Sequence, residues 1–101
     1  ESDLWDRIVL DMRAVIAHKN GTGKSAQPNI PGLKVFGKTG TAENPHGEDH
    51  AWFTGWAEYY DQKFSIVVLL ENGGSGGTVA APMAGMVFSQ IIHHQEMAAE
   101  L

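Results

Sequence analysis

The sequence contains no cysteine, and this absence removes several kinds of chemistry at once. Without thiols these residues can form no disulfide bond, no thiolate nucleophile and no cysteine-based zinc site. The cellular compartment is not decided by this, because an exported protein can also lack cysteine. The absence of cysteine therefore excludes these three kinds of chemistry but does not exclude any cellular compartment.

Basic residues are also few. The chain has 7 Lys and Arg residues against 12 Asp and Glu residues, which gives a formal net charge of -5 at pH 7. The isoelectric point is near 5.4. Binding to nucleic-acid phosphates needs clustered Lys and Arg. We therefore expect no nucleic-acid partner.

Long hydrophobic runs are missing as well. The longest strongly apolar run is Ile66-Val67-Val68-Leu69-Leu70, whereas a membrane-spanning helix needs about 20 apolar residues. The sequence begins with Glu1-Ser2-Asp3, so it has no initiator Met there, and it lacks the charged and apolar regions of a signal peptide. We therefore expect a piece of a longer protein, with any membrane anchor outside these residues.

The residues that are present predict an α+β unit in the order helix, three antiparallel strands, helix. Branched and aromatic residues predict strands at residues 33–41, 51–59 and 64–71. The short link between the second and third strands indicates an antiparallel hairpin. A glycine-rich loop at residues 72–77 separates the last strand from the last helix.

Two amphipathic patterns predict the helices. Ser2 or Asp3 can cap the first helix, and Asn20-Gly21 is expected to end it in a left-handed turn. Thr78 can cap the last helix, with Pro82 in its first turn. The apolar faces expected to pack in the core are Leu4, Ile8, Val9, Met12, Val15 and Ile16 in the first helix, and Val79, Met83, Met86, Val87, Phe88, Ile91 and Ile92 in the last.

The most informative motif is Lys38-Thr39-Gly40-Thr41, at the end of the first predicted strand. Lys-Thr-Gly belongs to a known serine acyl-transfer constellation, together with a Ser-x-x-Lys nucleophile motif and a Ser-x-Asn-type motif. None of the five serines in the chain begins either of those two motifs. We therefore expect residues 1–101 to be the C-terminal subregion of a single acyl-transfer domain, without its nucleophile-bearing part.

Each residue of this motif carries a group that acyl transfer can use. Lys38 would be a fixed cation that stabilises a substrate carboxylate and favours proton loss from a neighbouring hydroxyl. Thr39 and Thr41 lie on one strand face and offer hydroxyls to the same carboxylate. Gly40 would let a substrate backbone lie close to the strand edge. The Thr41 N–H, at an unpaired edge, could be one of two oxyanion donors.

A match to the phosphate-binding loop is rejected on its context. Residues 32–39 fit the pattern Gly-x4-Gly-Lys-Thr letter for letter. That motif needs a loop between its glycines and a helix beginning at the lysine. Here strand-forming residues lie between the glycines, and Gly40 and Pro45 oppose a following helix. We therefore predict no nucleotide site.

The remaining polar and aromatic candidates favour ordinary structural roles. His46 and His50 have the spacing of a metal pair on a helix, but the proline and glycine beside them favour a loop, so no metal is predicted. Glu43 is expected to be a solvated loop residue. Three aromatic residues of the second strand are expected to pack mostly in the core, and the alternative is that one of them lines a cleft: Trp52, Phe53 and Trp56.

Three longer stretches extend the likeness beyond the four-residue motif. They are residues 35–43 around the motif, residues 50–57 with their Trp-Phe-Thr-Gly-Trp sequence, and residues 66–74, where an apolar run ends in Glu-Asn-Gly-Gly. An Ala80-Ala81-Pro82 sequence follows at the start of the last helix. Together, over residues 4–94, these features resemble the transpeptidase domain of class B penicillin-binding proteins, and most closely the elongation type.

This resemblance implies a fold, a reaction and partners. The fold would be that of the penicillin-binding and serine β-lactamase-like domains. The full-length protein would be a D-alanyl-D-alanine transpeptidase that cross-links peptidoglycan and is acylated by β-lactams. Lys38 and Thr39 would line the cleft, and Thr41 would contact the substrate or antibiotic carboxylate. No cofactor is implied, and this chain alone is expected to be inactive.

The resemblance also implies a location and leaves other functions open. The full-length protein would act at the periplasmic or extracellular face of the inner membrane, with the peptidoglycan stem peptide or a β-lactam as ligand. These residues would pair with the missing N-terminal part of the same protein, or self-associate without it. A serine β-lactamase or β-lactam sensor is the alternative within the same chemistry. A non-catalytic interaction module is the alternative of another class.

Overall fold

The computed structural model describes residues 2–99, so residues 1, 100 and 101 of the predicted unit lie outside its described part. Its elements are helix α1 (Ser2–Ala17), strands β1 (Leu33–Ala42), β2 (His50–Tyr59) and β3 (Gln62–Leu70), and helix α2 (Ala81–Ala99). A 3-10 turn at Lys24–Ala26 precedes β1, and a π-helical turn at Gly76–Ala80 precedes α2. This order confirms the predicted α+β arrangement.

The three strands form one antiparallel sheet in the order β1-β2-β3. Thr39 pairs with Phe53, which in turn pairs with Val68. Side chains of directly paired residues lie on the same face of a sheet, and successive residues alternate between faces. The sheet therefore has an inner face, which carries these three side chains, and an outer face, which carries Lys38 and Gly40.

Both helices contribute to a core on the inner face. Phe53 of β2 is fully buried, and Phe88 of α2 and Ile16 of α1 are almost so. Burying large apolar side chains of this kind contributes about 1.5–3 kcal/mol each. The buried residues around them are mostly small or branched: Val35, Ala51, Ala57, Val68, Ala80, Ala81, Ala84 and Ile92.

The predicted left-handed ending of the first helix at Asn20-Gly21 is wrong. Helix α1 ends at Ala17, and neither Asn20 nor Gly21 has a positive φ. The His18 carbonyl accepts a hydrogen bond from the Gly21 N–H (2.8 Å). The His18 ring nitrogen Nδ1 accepts another from the Asn20 N–H (3.1 Å). Because this turn already satisfies the backbone, no left-handed residue is needed.

The predicted core face of α1 is only partly correct. Ile16 is buried and Val15 packs partly against the core, whereas Leu4 is 64% exposed and Ile8 39% exposed. The spacing identified an apolar face but not how much of the helix the sheet covers. The N-terminal part of α1 therefore presents uncovered apolar surface within the described residues.

The predicted core face of α2 is also only partly correct. Phe88 and Ile92 are in the core as predicted, but Met83, Met86 and Val87 are exposed. Small residues take their place against the rest of the molecule: Ala81, Ala84 and Gly85. Small side chains let a helix approach its neighbours closely, so this side of α2 packs in preference to the side with the larger apolar residues.

Thr78 does not cap the last helix. It lies inside the π-helical turn, where the Val79 N–H donates to the Ser75 carbonyl (2.9 Å), and α2 begins only at Ala81. Pro82 is in the first turn of α2, as predicted. Within residues 2–99, neither helix combines the length and apolarity needed to cross a bilayer.

Candidate functional site

The Lys38-Thr39-Gly40-Thr41 motif forms the C-terminal part of an edge strand. The Val35 N–H donates to the Gln27 side chain (3.0 Å), and the Val35 carbonyl accepts from the Arg13 guanidinium (2.6 Å). Val35 therefore directs its backbone groups away from β2. Because this direction alternates along an antiparallel strand, Thr39 and Thr41 direct theirs the same way. The Thr41 N–H thus points to the free side of β1.

An open cleft of about 520 Å³ lies between the end of β1 and the π-helical turn. Five of the seven residues around it carry hydroxyl groups, and the other two are glycines. Hydroxyls can donate and accept hydrogen bonds without a net charge. The lining residues are Thr22, Thr39, Gly40, Thr41, Ser75, Gly77 and Thr78.

The hydroxyls of the two motif threonines have defined partners. Thr39 is 6% exposed, and its Oγ1 lies 2.7 Å from the Thr22 Oγ1. The Thr41 Oγ1 accepts a hydrogen bond from the Gly76 N–H (3.2 Å). Gly76 can approach this closely because a Cβ there would overlap the backbone of Gly40. Both hydroxyls are therefore held in place on the inner face of β1, at one wall of the cleft.

Lys38 is exposed and lies on the outer face of the same strand. Its Nζ donates to the Thr39 carbonyl (2.8 Å), which is one of the groups directed away from β2. Lys38 does not line the cleft itself. Its ammonium group nevertheless reaches the same free edge to which the Thr41 N–H points.

Gly40 has a packing role that the sequence did not indicate. A Cβ at Gly40 would overlap the indole ring of Trp52, its partner across the sheet. The absence of a side chain is therefore required by an internal contact on the outer face. The predicted close approach of a substrate backbone at Gly40 stays a prediction.

The favoured prediction, that most of the β2 aromatics pack in the core, is wrong. Phe53 is fully buried, but Trp52 and Trp56 lie half-buried on the outer face, and none of the three lines the hydroxyl cleft. Trp56 stacks on Phe36 with ring centres 4.7 Å apart. Alternation along the strand places both tryptophans opposite to Phe53, so they share the outer face of the sheet.

The other sequence candidates have local partners or lie in solvent. Residues 33–39 of the phosphate-loop match are strand, so the loop that this motif requires is not formed. The His50 Nδ1 accepts from the Asn72 N–H (3.0 Å). Glu43 is exposed, as predicted. Within residues 2–99 no three acidic or imidazole side chains are grouped as metal ligands.

Three hydroxyl residues of the cleft were not predicted from the sequence. Thr22 follows α1, and Ser75 and Thr78 belong to the loop and the π-helical turn before α2. Each is distant along the chain from the motif. Their only sequence signal is a hydroxyl residue next to glycines, in Gly-Thr-Gly at residues 21–23 and Gly-Ser-Gly at residues 74–76.

Comparison with known proteins identifies similar sequences over almost the whole chain. Residues 4–93 match the family model described as "Penicillin binding protein transpeptidase domain". The peptidoglycan D,D-transpeptidase MrdA of Haemophilus influenzae is 34% identical over 106 aligned positions, which cover 90% of this chain and 16% of that protein. The chain therefore spans about a sixth of the length of this relative.

Solved structures are similar as well. Penicillin-binding protein 2 (PBP2) of Pseudomonas aeruginosa, in complex with WCK 5153, superposes with a TM-score of 0.73 and is 32% identical. It covers 87% of this chain, and the match is 19% of that protein. Penicillin-binding protein A of Mycobacterium tuberculosis, as an imipenem acyl-enzyme complex, gives a TM-score of 0.60 at 28% identity. The match covers 88% of this chain and 19% of that chain. These likenesses favour a transpeptidase over a β-lactamase or an interaction module.

Proposed function

Because this chain belongs to the penicillin-binding protein transpeptidase domain family, we propose that it supplies one wall of a D,D-transpeptidase active site. The proposal rests on the arrangement of side chains at the end of β1. There the Thr39 and Thr41 hydroxyls line a polar cleft, and the Lys38 ammonium reaches the adjacent strand edge. A wall of this kind suits a ligand with a carboxylate next to a reacting carbonyl.

In the proposed reaction, a serine elsewhere in the full-length protein attacks the carbonyl between two D-alanine residues of a peptidoglycan stem peptide. The new ester bond forms as the terminal D-alanine leaves with a proton on its amine. The amine of a second peptide then attacks the ester carbonyl, a new amide bond forms as the ester bond breaks, and the serine oxygen takes up the proton that the amine loses. A β-lactam would acylate the same serine by opening of its ring.

Three residues of the motif, Lys38, Thr39 and Thr41, have a part in the proposed reaction. Lys38 stabilises negative charge and favours proton loss from a nearby hydroxyl. Thr39 and Thr41 donate hydrogen bonds to the terminal carboxylate. The Thr41 N–H, directed away from β2, provides one of the two donors to the oxyanion. None of these steps needs a cofactor.

We further propose that residues 1–101 are the C-terminal subregion of a single transpeptidase domain. Supporting this, the aligned part is 16% of a curated relative and 19% of a solved one, and the chain contains no Ser-x-x-Lys motif. The full-length protein would be anchored in the inner membrane and act on its outer side, where peptidoglycan lies.

The exposed apolar surface of the described residues fits this arrangement. Val67 is 75% exposed and Leu69 61% exposed on the outer face of β3, and Met86 of α2 is 67% exposed. We propose that the remaining part of the domain covers these residues. The isolated chain should then self-associate, which sedimentation velocity would detect as a rise in apparent mass with concentration. A monodisperse monomer at high concentration would contradict this.

Labelled penicillin tests the proposed function directly. The full-length protein should gain the mass of one penicilloyl group on a serine outside these residues, whereas the isolated 101-residue chain should gain none. Intact-mass spectrometry followed by peptide mapping measures both. Absence of an adduct on the full-length protein would contradict the proposal, and so would an adduct on a residue of this chain.

A further inference from the structure

We propose that Thr22 is a positioning residue of this site, which acts by setting the direction in which the Thr39 hydroxyl donates its proton. The inference rests on the proposed function, because it concerns recognition of the ligand carboxylate. Thr22 lies outside the Lys-Thr-Gly-Thr motif and precedes β1 by many residues. Through Thr22, the turn after α1 would influence how the Thr39 hydroxyl at the edge of the sheet binds a ligand.

The contact between the two threonines is short and internal to the cleft. Their Oγ1 atoms are 2.7 Å apart, and either atom could be the donor. This separation is typical of a well-formed hydrogen bond between hydroxyls. Thr39 is 6% exposed, so few other groups can reach its oxygen. Both residues line the same cleft.

The number of protons in the pair decides what each hydroxyl can do. A hydroxyl has one proton to donate and two lone pairs to accept with, whereas a carboxylate can only accept. If Thr39 donated its proton to Thr22, it would have none for a carboxylate. If Thr22 donates instead, the Thr39 proton is free to point into the cleft. A bound carboxylate therefore requires the direction from Thr22 to Thr39.

Thr41 shows the same arrangement without ambiguity. Its Oγ1 accepts from the Gly76 N–H (3.2 Å), and a backbone N–H can only donate. The Thr41 proton is therefore free for another acceptor. With Thr22 as the donor to Thr39, the strand presents two hydroxyl protons at alternate positions of one face. Two such donors match the two oxygens of one carboxylate.

The local backbone holds Thr22 in position. The Gly21 N–H donates to the His18 carbonyl (2.8 Å), and the Gly23 N–H donates to the Val15 carbonyl (3.0 Å). Thr22 lies between these two anchored residues, so its backbone follows the end of α1. Its side chain, in contrast, is exposed and packs in no core. A hydroxyl at this position is therefore not explained by packing.

Acylation kinetics of the full-length protein test the inference. Thr22→Val keeps the side-chain shape and removes the hydroxyl, Thr22→Ser keeps the hydroxyl, and Ser25→Ala removes a neighbouring hydroxyl whose contact is the Gly77 carbonyl. Each is measured with benzylpenicillin and with its methyl ester, which lacks the carboxylate charge. Melting temperatures show whether each variant folds like the parent.

We expect Thr22→Val to lower the second-order acylation rate with benzylpenicillin about tenfold, the size of one charge-assisted hydrogen bond. Thr22→Ser and Ser25→Ala should stay within about twofold of the parent, and the methyl ester should react equally with the parent and Thr22→Val. In a Thr39→Val background, Thr22→Val should have little further effect, because the two hydroxyls act as one unit.

Two results would overturn the inference while leaving the proposed function intact. One is a parental rate for Thr22→Val with benzylpenicillin. The other is an equal loss with both ligands, which a purely structural role would produce. A parent that neither ligand acylates would instead refute the proposed function, and this inference with it.

Discussion

Two depressions on this molecule have about the same volume, 520 Å³, but very different linings. The cleft beside β1 is lined by hydroxyl residues and glycines. The groove on the exposed side of α2 is lined mainly by apolar side chains, Met83, Met86, Val87 and Ile91, together with Gln90 and His94. Oriented hydroxyls can bind an anionic group, whereas the apolar groove can mainly bury apolar surface. Lining chemistry, and not volume, therefore distinguishes a candidate ligand site from an uncovered packing surface.

The surroundings of the two depressions differ in the same way. In the cleft, Thr39 and Thr41 are each tied to a second segment of the chain, through Thr22 and Gly76. Such hydrogen bonds preorganise the two hydroxyls for ligand binding. The groove instead contains flexible methionines, which adapt to whatever covers them. The difference predicts that substitutions at the end of β1 affect chemistry more than those elsewhere.

The largest expected effect is at Lys38. Lys38→Ala in the full-length protein should reduce the second-order acylation rate with penicillin about 100-fold or more, comparable to removal of one oriented electrostatic group. The melting temperature should change little, because an exposed lysine contributes little to the core. Lys34→Ala is the matched control, since Lys34 is exposed on the same face of the same strand. Equal acylation rates for Lys38→Ala and Lys34→Ala would contradict a catalytic role for Lys38.

A smaller effect, on stability, is expected at Gly40. Gly40→Ala places a Cβ against the Trp52 indole, and such overpacking typically costs about 1–3 kcal/mol. Gly47→Ala is the control, because a Cβ there meets its nearest neighbours at 3.4 and 3.5 Å, an ordinary contact distance. Denaturant unfolding of the full-length variants measures both. A Gly40→Ala variant as stable as the control would show that Trp52 moves aside without cost.

The smallest expected effect is at a hydroxyl far from the cleft. The Tyr59 hydroxyl donates to Glu96 (3.0 Å), and this hydrogen bond, followed by burial and nearby negative charge, raises the pKa of Tyr59. Because the folded-state pKa is raised, the stabilisation is fully present below the unfolded pKa near 10 and is lost as pH rises through the folded-state pKa.

Thermal melts across alkaline pH test this contact. The full-length protein should be slightly more stable than Tyr59→Phe at about pH 8, and the difference should shrink above about pH 10. Acylation at neutral pH should be unchanged in Tyr59→Phe. Tyr60→Phe serves as the control for loss of a neighbouring phenol. A difference in melting temperature that stays constant with pH would show that the hydrogen bond to Glu96 does not stabilise the fold.

Local patterns in the sequence predicted the sheet well. Strand β1 was expected at residues 33–41 and spans Leu33–Ala42, and the hairpin of β2 and β3 forms around a short turn at Tyr60. These elements follow from strand-forming residues and turn residues that are close along the chain. The Lys38 to Thr41 motif was located in the same way.

Features that depend on distant segments could not be predicted. Which side of α2 faces the rest of the molecule depends on the close approach of small residues such as Ala84 and Gly85, whereas periodicity alone favoured the methionines. The cleft needs Thr22, Thr39 and Thr78 to meet across three segments of the chain. Neither the packed side of α2 nor the assembly of the cleft follows from a local stretch of sequence, so both become visible only in the folded chain.

The central claim is that the end of β1 binds the carboxylate and the oxyanion of an acylating ligand. A crystal structure of the full-length protein acylated by penicillin tests it most directly. We expect the ligand carboxylate within hydrogen-bond distance of the Thr39 and Thr41 hydroxyls, and the acyl oxygen about 2.7–3.1 Å from the Thr41 nitrogen. An acyl group whose carboxylate and carbonyl oxygen both lie away from β1 would show that the end of β1 does not bind the ligand in this way.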